Sequence, residues 1–128
     1  MDRISVAIDG PGGAGKSTIA KEMASRFGFI YVDTGAIYRT VGLKAKRAGV
    51  DAHSADAVVP LLDTIKIEMK YDDTGLQRMY LDGEDVSDEI RLPEISMYAS
   101  AVSAIPQVRA FLLEMQRAMA REHSVIMD

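Results

Sequence analysis

The chain has no cysteine, which excludes a disulfide framework, a thiolate zinc site and a cysteine nucleophile. It has no asparagine either, so it lacks the Asn-Lys-x-Asp segment with which a GTPase reads its base. Histidine occurs only at His53 and His123, too few and too far apart in sequence for a metal cluster. Each reads as an exposed polar residue. No apolar stretch approaches the length of a bilayer span. The N-terminal apolar run is short and passes straight into a glycine-rich turn, unlike a signal peptide. Acidic residues outnumber basic ones, 19 to 15, for a net charge of −4. That balance argues against broad nucleic-acid binding, which favours a basic face. What remains is 128 residues, 48% apolar and 27% charged, the composition of at most one soluble globular domain with a real core. Internal repeats, low-complexity tracts and flexible linkers are not evident. A cytoplasmic monomer with neither a nucleic-acid nor a membrane partner is expected.

The most informative stretch present is Gly10-Pro11-Gly12-Gly13-Ala14-Gly15-Lys16-Ser17-Thr18, which fits G-x-x-x-x-G-K-[ST]. Ile4, Val6 and Ile8 alternate before it, as in a strand over 4–9. After it Ile19, Ala20, Met23, Ala24 and Phe27 recur at the spacing of a helix stripe. Strand, glycine turn and helix together make a phosphate cradle. The glycines let backbone N–H groups converge, and the opening helix adds unpaired N–H groups and its positive dipole end. Lys16 supplies a point charge for the β- and γ-phosphates of ATP, and the Ser17 hydroxyl is placed to ligand Mg²⁺. A bare turn needs far fewer of these features, so the stretch reads as a nucleoside-triphosphate site.

Gly28 reads as the stop of that helix, followed by a strand over 29–32. Asp33 or Thr34 then caps a helix from about Gly35 to Ala48 that carries Ile37, Tyr38, Val41, Ala45 and Ala48 inward, with Gly49 ending it. Short loops between strand, helix, strand and helix predict a parallel sheet covered by helices. Ser54 caps a further apolar helix through Val58, Val59, Leu61, Leu62 and Ile65, which Pro60 should bend or shift. From about residue 65 the pattern alternates. Residues 66–71 and 77–81 predict a hairpin with one solvated face, and Val86 to Ile90 a third short strand. Pro93 opens a helix to about Ala104, with Ser96, Ser100 and Ser103 on a small polar face. Pro106 opens another, with Ile105, Val108, Leu112, Met115 and Met119 as a core stripe. Residues 124–127 form a third buried strand that delivers Asp128. A parallel strand buried on both faces needs elements beyond it, so the expectation is an incomplete domain. Its parts are 1–64 (first part of the phosphate-loop core), 65–91 (antiparallel insert) and 92–128 (helices and third core strand). The fold class is α/β: a P-loop NTP hydrolase-type three-layer sheet with a small antiparallel insert.

The triphosphate site does not say what is done with the triphosphate. The acidic end of strand 124–127, at Asp128, leaves a motor or transport ATPase open. A second constellation narrows the choice. Thr34, Tyr38 and Arg39 follow the carboxyl end of a strand, the rim that faces ligands in open α/β sheets. Their spacing of four and five residues lets all three lean toward one region. A guanidinium suits a phosphate better than an ammonium does.

The phosphate loop, then Asp33-Thr34-Gly35-Ala36-Ile37-Tyr38-Arg39, Gly83-Glu84-Asp85-Val86-Ser87, Ile90-Arg91, the Ser100, Ser103, Pro106, Val108 and Arg109 series, and Met127-Asp128 together resemble the bacterial cytidylate kinases. The resemblance runs from residue 4 to residue 128 and rests most on the second and third segments. It implies a transferase of pyrimidine metabolism that moves a phosphoryl group from ATP, with Mg²⁺, to CMP or dCMP. The insert is then a monophosphate-binding element. By position, Gly10 to Thr18 hold ATP, and Lys16 and Arg39 carry catalysis. Thr34 and Tyr38 lie near the acceptor nucleotide, and Arg39 on its phosphate. Ser100 and Arg109 read the cytosine edge. Asp128 approaches the metal or the acceptor. The family continues past the counterpart of Asp128 with Gly-Arg-Asp and a lid carrying further arginines, so this chain alone is expected to bind weakly and catalyse poorly. Two rival readings stay open: a kinase of another small acceptor, and a non-catalytic ATP-binding unit.

Overall fold

A computed structural model of the chain describes residues 5–7, 30–71, 77–122 and 125–127. The chain divides into two units, one formed by Met1–Thr34 with Leu113–Asp128 and the other by Gly35–Leu112.

In the first unit, β1 (Ser5–Ala7), β2 (Ile30–Val32) and β6 (Val125–Met127) form a parallel sheet in the order β1-β6-β2. Val6 and Tyr31 both stand opposite Ile126 in the ladder. The strands with the alternating or continuous apolar patterns are thus the ones that pair. The last strand in the chain inserts between the first two, and Val32 at the end of β2 is fully buried. The predicted strand ends at 4, 8–9, 29 and 124, and the helix over 19–27, lie outside the described residues.

The second unit is built around α1 (Thr34–Ala48), which begins where the sequence places an N-cap. Its end has a specific geometry. Gly49 takes φ +70°, its N–H donates to the Lys46 carbonyl, and the Val50 N–H donates to the Ala45 carbonyl. This is the paired closure that a left-handed glycine permits after a helix. Ile37, Val41, Leu43 and Ala45 are buried, but Ala48 is exposed because the terminating turn carries it out of the core. In α2 (Ala55–Leu62), the Ser54 Oγ accepts from the Ala57 N–H at 3.3 Å, as expected of a cap. The helix runs through Pro60 and stops before Ile65, which only closes the following turn onto the Leu61 carbonyl.

The antiparallel sheet comprises β3 (Ile67–Tyr71), β4 (Gln77–Leu81) and β5 (Glu84–Asp85). Met79 and Leu81 are buried, while Arg78 before them and Tyr80 between them keep partial exposure, the half-solvated alternation expected. Asp82 and Gly83 take φ 51° and 89°, the positive pair that a tight two-residue hairpin requires. The third strand is therefore two residues long and ends before Val86. Val86 and Ile90 point instead into the core, the latter on a short 3₁₀ turn, Glu89–Arg91. The strand expected at Val86 to Ile90 does not form, because its two apolar residues are four apart and bury from a helical turn rather than from alternate strand positions.

α3 (Pro93–Ser103) buries Ile95, Ala101 and Val102, and α4 (Pro106–Glu122) buries Val108 and Leu112. Proline stands in the first turn of each, where its missing N–H has no intrahelical partner to lose.

Candidate functional site

Gly10 to Thr18, with Lys16 and Ser17, lie outside the described residues, as does Asp128. The described part of the candidate site is on α1, α3 and α4.

α1 leaves β2 after a single residue, Asp33, and carries Thr34, Tyr38 and Arg39 on its first turns. Tyr38 and Arg39 are half-buried. The adjacent Thr40 is fully buried and satisfies its hydroxyl by donating to the Ala36 carbonyl at 2.8 Å. The charge pattern of α1 changes along its length. In its C-terminal half every cation is neutralised: Lys44 Nζ meets Asp82 Oδ2 at 2.7 Å, Lys46 Nζ meets Glu94 Oε1 at 2.7 Å, and Arg47 Nη2 reaches both Glu84 (2.9 Å) and Glu89 (2.7 Å). The carboxylates of Glu84 and Glu89 hold the Arg47 proton more firmly than usual, through their hydrogen bonds. Arg39, one turn into the same helix, has neither a hydrogen bond nor an ion pair from its guanidinium among the described residues. A half-buried cation without a counter-charge is a place where an anion gains most, since the guanidinium is already partly desolvated.

Ser100 is exposed on α3, and Arg109 is exposed on α4 without a carboxylate partner among the described residues. Ser103 Oγ donates to the Ser100 carbonyl at 2.8 Å, in the last turn of α3. No hydrogen bond or ion pair among the described residues joins Tyr38, Arg39, Ser100 and Arg109 to one another. His53 is exposed, and no group of three or more His, Cys, Asp or Glu is placed to hold a metal among the described residues.

The segment Gly83-Glu84-Asp85-Val86-Ser87 is structural throughout. Gly83 makes the tight turn, Glu84 pairs with Arg47, and Val86 is buried. Asp85 Oδ1 accepts from the Ser87 hydroxyl (2.6 Å) and N–H (2.9 Å). Asp85 Oδ2 accepts from Arg78 Nε at 3.1 Å. The Ser87 hydrogen bonds, foremost, hold the Asp85 carboxyl below its usual range, as Lys44 followed by the Lys66 N–H does for Asp82.

Two features of α1 escape a reading of the sequence alone. The ion pairs of Lys44, Lys46 and Arg47 link residues 37 to 48 positions apart, and no local pattern announces such partners. Gly42 left a signal, an isolated glycine inside a helical pattern. A Cβ built there would stand 2.8 Å from the Ala99 nitrogen, 2.9 Å from the Tyr98 carbonyl carbon and 3.0 Å from Tyr98 Cβ. The backbones of α1 and α3 meet at this point, and only hydrogen fits between them.

Comparison with known proteins agrees with the motifs. The family model described as cytidylate kinase matches residues 6–128. A protein named cytidylate kinase from Caldicellulosiruptor bescii is 51% identical over the whole chain, which covers 56% of that protein. One of the same name from Symbiobacterium thermophilum is 49% identical over 96% of the chain and 54% of its own length. Another, from Lactobacillus gasseri, is 49% identical over 98% of the chain and 54% of its own length. The chain spans about half the length of these curated relatives. With a family match over nearly every residue and about half of all positions identical to its relatives, the chain belongs to the cytidylate kinase family.

Proposed function

We propose that the protein transfers the γ-phosphoryl group of ATP to the phosphate of CMP or dCMP, giving ADP and the cytidine diphosphate. The observation that carries this reading is Arg39. It stands half-buried on the helix that follows a parallel strand, and among the described residues it has none of the carboxylate partners found farther along the same helix. The relatives' names supply the acceptor, and the phosphate-loop motif supplies the donor site.

On this reading β1-β6-β2 is the start of a three-layer P-loop sheet, with residues 1–64 its first part, 65–91 the monophosphate-binding insert, and 92–128 the helices and third strand. Gly10 to Thr18 cradle the ATP phosphates, and Lys16 balances charge on the β- and γ-oxygens. Ser17 is the hydroxyl that ligands the Mg²⁺ accompanying ATP as part of the substrate. Arg39 grips the acceptor's phosphate by its planar fork, with Thr34 and Tyr38 beside it. Ser100 and Arg109 meet the cytosine edge, and Asp128 stands toward the metal or the acceptor. Phosphoryl transfer asks little covalent work of the protein. The two phosphates must be held in line, their charge balanced and water kept away. The protein acts in the cytoplasm as a monomer, without nucleic acid or membrane.

The test compares CMP, UMP, AMP and shikimate as acceptors for the protein expressed from its complete reading frame. Transfer to CMP well ahead of the others is expected. Equal rates with AMP refute the cytidine assignment, and ATP binding without transfer to any acceptor refutes the kinase reading. Arg39→Ala should weaken CMP use while sparing ATP binding, and Lys16→Ala should cut transfer by orders of magnitude with the fold kept.

A further inference from the structure

Two contacts set how α1 and α3 pack. Gly42 meets the backbone at Tyr98 and Ala99, and one turn farther along α1, Lys46 meets Glu94 one turn earlier along α3. The helices therefore run antiparallel past each other. From that crossing Arg39 lies three residues back along α1, about 4.5 Å at the rise of an α-helix, and Ser100 one or two residues forward along α3, about 2 Å. Both displacements point the same way. Arg39 and Ser100 are consequently displaced toward the same end of the helix pair, so that moving α3 away from α1 at the crossing changes the separation of the backbones that carry them.

We propose that Gly42 is a positioning residue: by letting the backbones of α1 and α3 touch, it sets the span between Arg39 and Ser100 and with it the length of acceptor monophosphate that the two helices hold at once. The proposal rests on the functional reading above. Under that reading one end of the span takes a phosphate and the other a pyrimidine edge. The atoms that a side chain at 42 would strike are the Ala99 nitrogen and the Tyr98 carbonyl carbon, at 2.8 and 2.9 Å. Backbone atoms inside a helix cannot swing aside as the tip of a long side chain can. A methyl group at 42 must push α3 back by about half an ångström to reach ordinary contact, which lengthens the span that a ligand bridging both helices has to match. A ligand held by one helix alone is insensitive to that shift, whereas one that bridges both is not.

The experiment compares Gly42→Ala with Val58→Ala, a buried α2 residue, in the protein expressed from its complete reading frame. Steady-state kinetics and nuclear magnetic resonance titration with cytidine are read for both. In Gly42→Ala the KM for CMP is expected to rise about tenfold, with the KM for ATP and the affinity for cytidine each within twofold of the parent, and kcat within threefold. Val58→Ala should leave all four within twofold. A folded Gly42→Ala with an unchanged KM for CMP overturns the proposal. So does loss of CMP, cytidine and ATP in parallel, which marks general damage. If Gly42→Ala does not fold, Glu94→Gln loosens the same crossing from the surface. A two- to threefold rise in the KM for CMP alone is then expected, and no rise overturns the proposal. A parent protein that does not phosphorylate CMP or dCMP refutes the functional reading itself, whereas a variant result that fails against an active parent refutes only the role of Gly42.

Discussion

Replacing Ser87 by alanine should remove a buried junction on which the antiparallel sheet depends. Ser87 is 2% exposed and Met79 is 1% exposed. β5 ends at Asp85, but β4 still presents an N–H and a carbonyl at Met79. The Val86 N–H donates to that carbonyl at 2.9 Å, and the Met79 N–H donates to Ser87 Oγ at 2.8 Å. The hydroxyl thus replaces the strand carbonyl that the ladder runs out of. Alanine leaves the Met79 N–H buried without an acceptor, at about 1–3 kcal/mol. It also removes the short hydrogen bond to Asp85, a charge-assisted contact. A loss of about 2–3 kcal/mol is expected, a large share of the roughly 5–15 kcal/mol of a typical domain. Urea unfolding followed by far-ultraviolet circular dichroism measures it. With a slope of about 1–3 kcal/mol per molar, the midpoint should fall by roughly 1–2 M. The Asp85 carboxyl should also titrate higher in the variant, because its foremost stabilising partner is gone. A midpoint shift corresponding to less than about 0.5 kcal/mol, the range of an ordinary surface change, would refute the argument that the hydroxyl completes the ladder.

Arg47→Met should cost about 1 kcal/mol, since its pairs with Glu84 and Glu89 are partly exposed but share one guanidinium; the difference from the parent should shrink as salt is raised toward 1 M. Gly49→Ala should destabilise by about 1 kcal/mol, because an L side chain resists the positive φ that closes α1; unchanged thermal unfolding would refute this. Acid should weaken the second unit through Asp82 and Asp85. Both carboxyls titrate lower folded than unfolded. Their stabilisation is therefore complete above the unfolded value of about 3.9 and is lost as pH falls below it through the folded values. The double variant Asp82→Asn, Asp85→Asn should flatten the dependence of stability on pH in that window, and an unaltered acid limb would contradict the assignment.

Local order was legible wherever one residue type carries out one local task. Ser54 caps α2, Gly49 closes α1, Pro93 and Pro106 open α3 and α4, and the alternation through Met79 and Leu81 makes a half-solvated sheet. Each depends on chemistry within a few residues of chain. The segment from Gly83 to Ser87 shows where that legibility ends. It reads as a family signature in sequence, while its reason is a turn, a buried hydroxyl and an ion pair to a residue 37 positions away. The expected strand at Val86 to Ile90 failed for a related cause: two apolar residues suit a strand face or a helical turn, and the core beneath them decides.

By itself, then, the sequence determined most of the described elements in kind, the Ser54 cap, the Gly49 stop, the phosphate-loop motif and the family. Only the tertiary structure decided that β6 enters between β1 and β2, that Lys44, Lys46 and Arg47 are neutralised while Arg39 is left without a counter-charge among the described residues, and that Gly42 lies against the backbone of α3. The physical reason is range. Capping, turn formation and periodicity are settled over one or two turns of backbone. Strand order, ion pairing and helix contact depend on which distant surfaces exclude water together, and an isolated residue carries no mark of its partner.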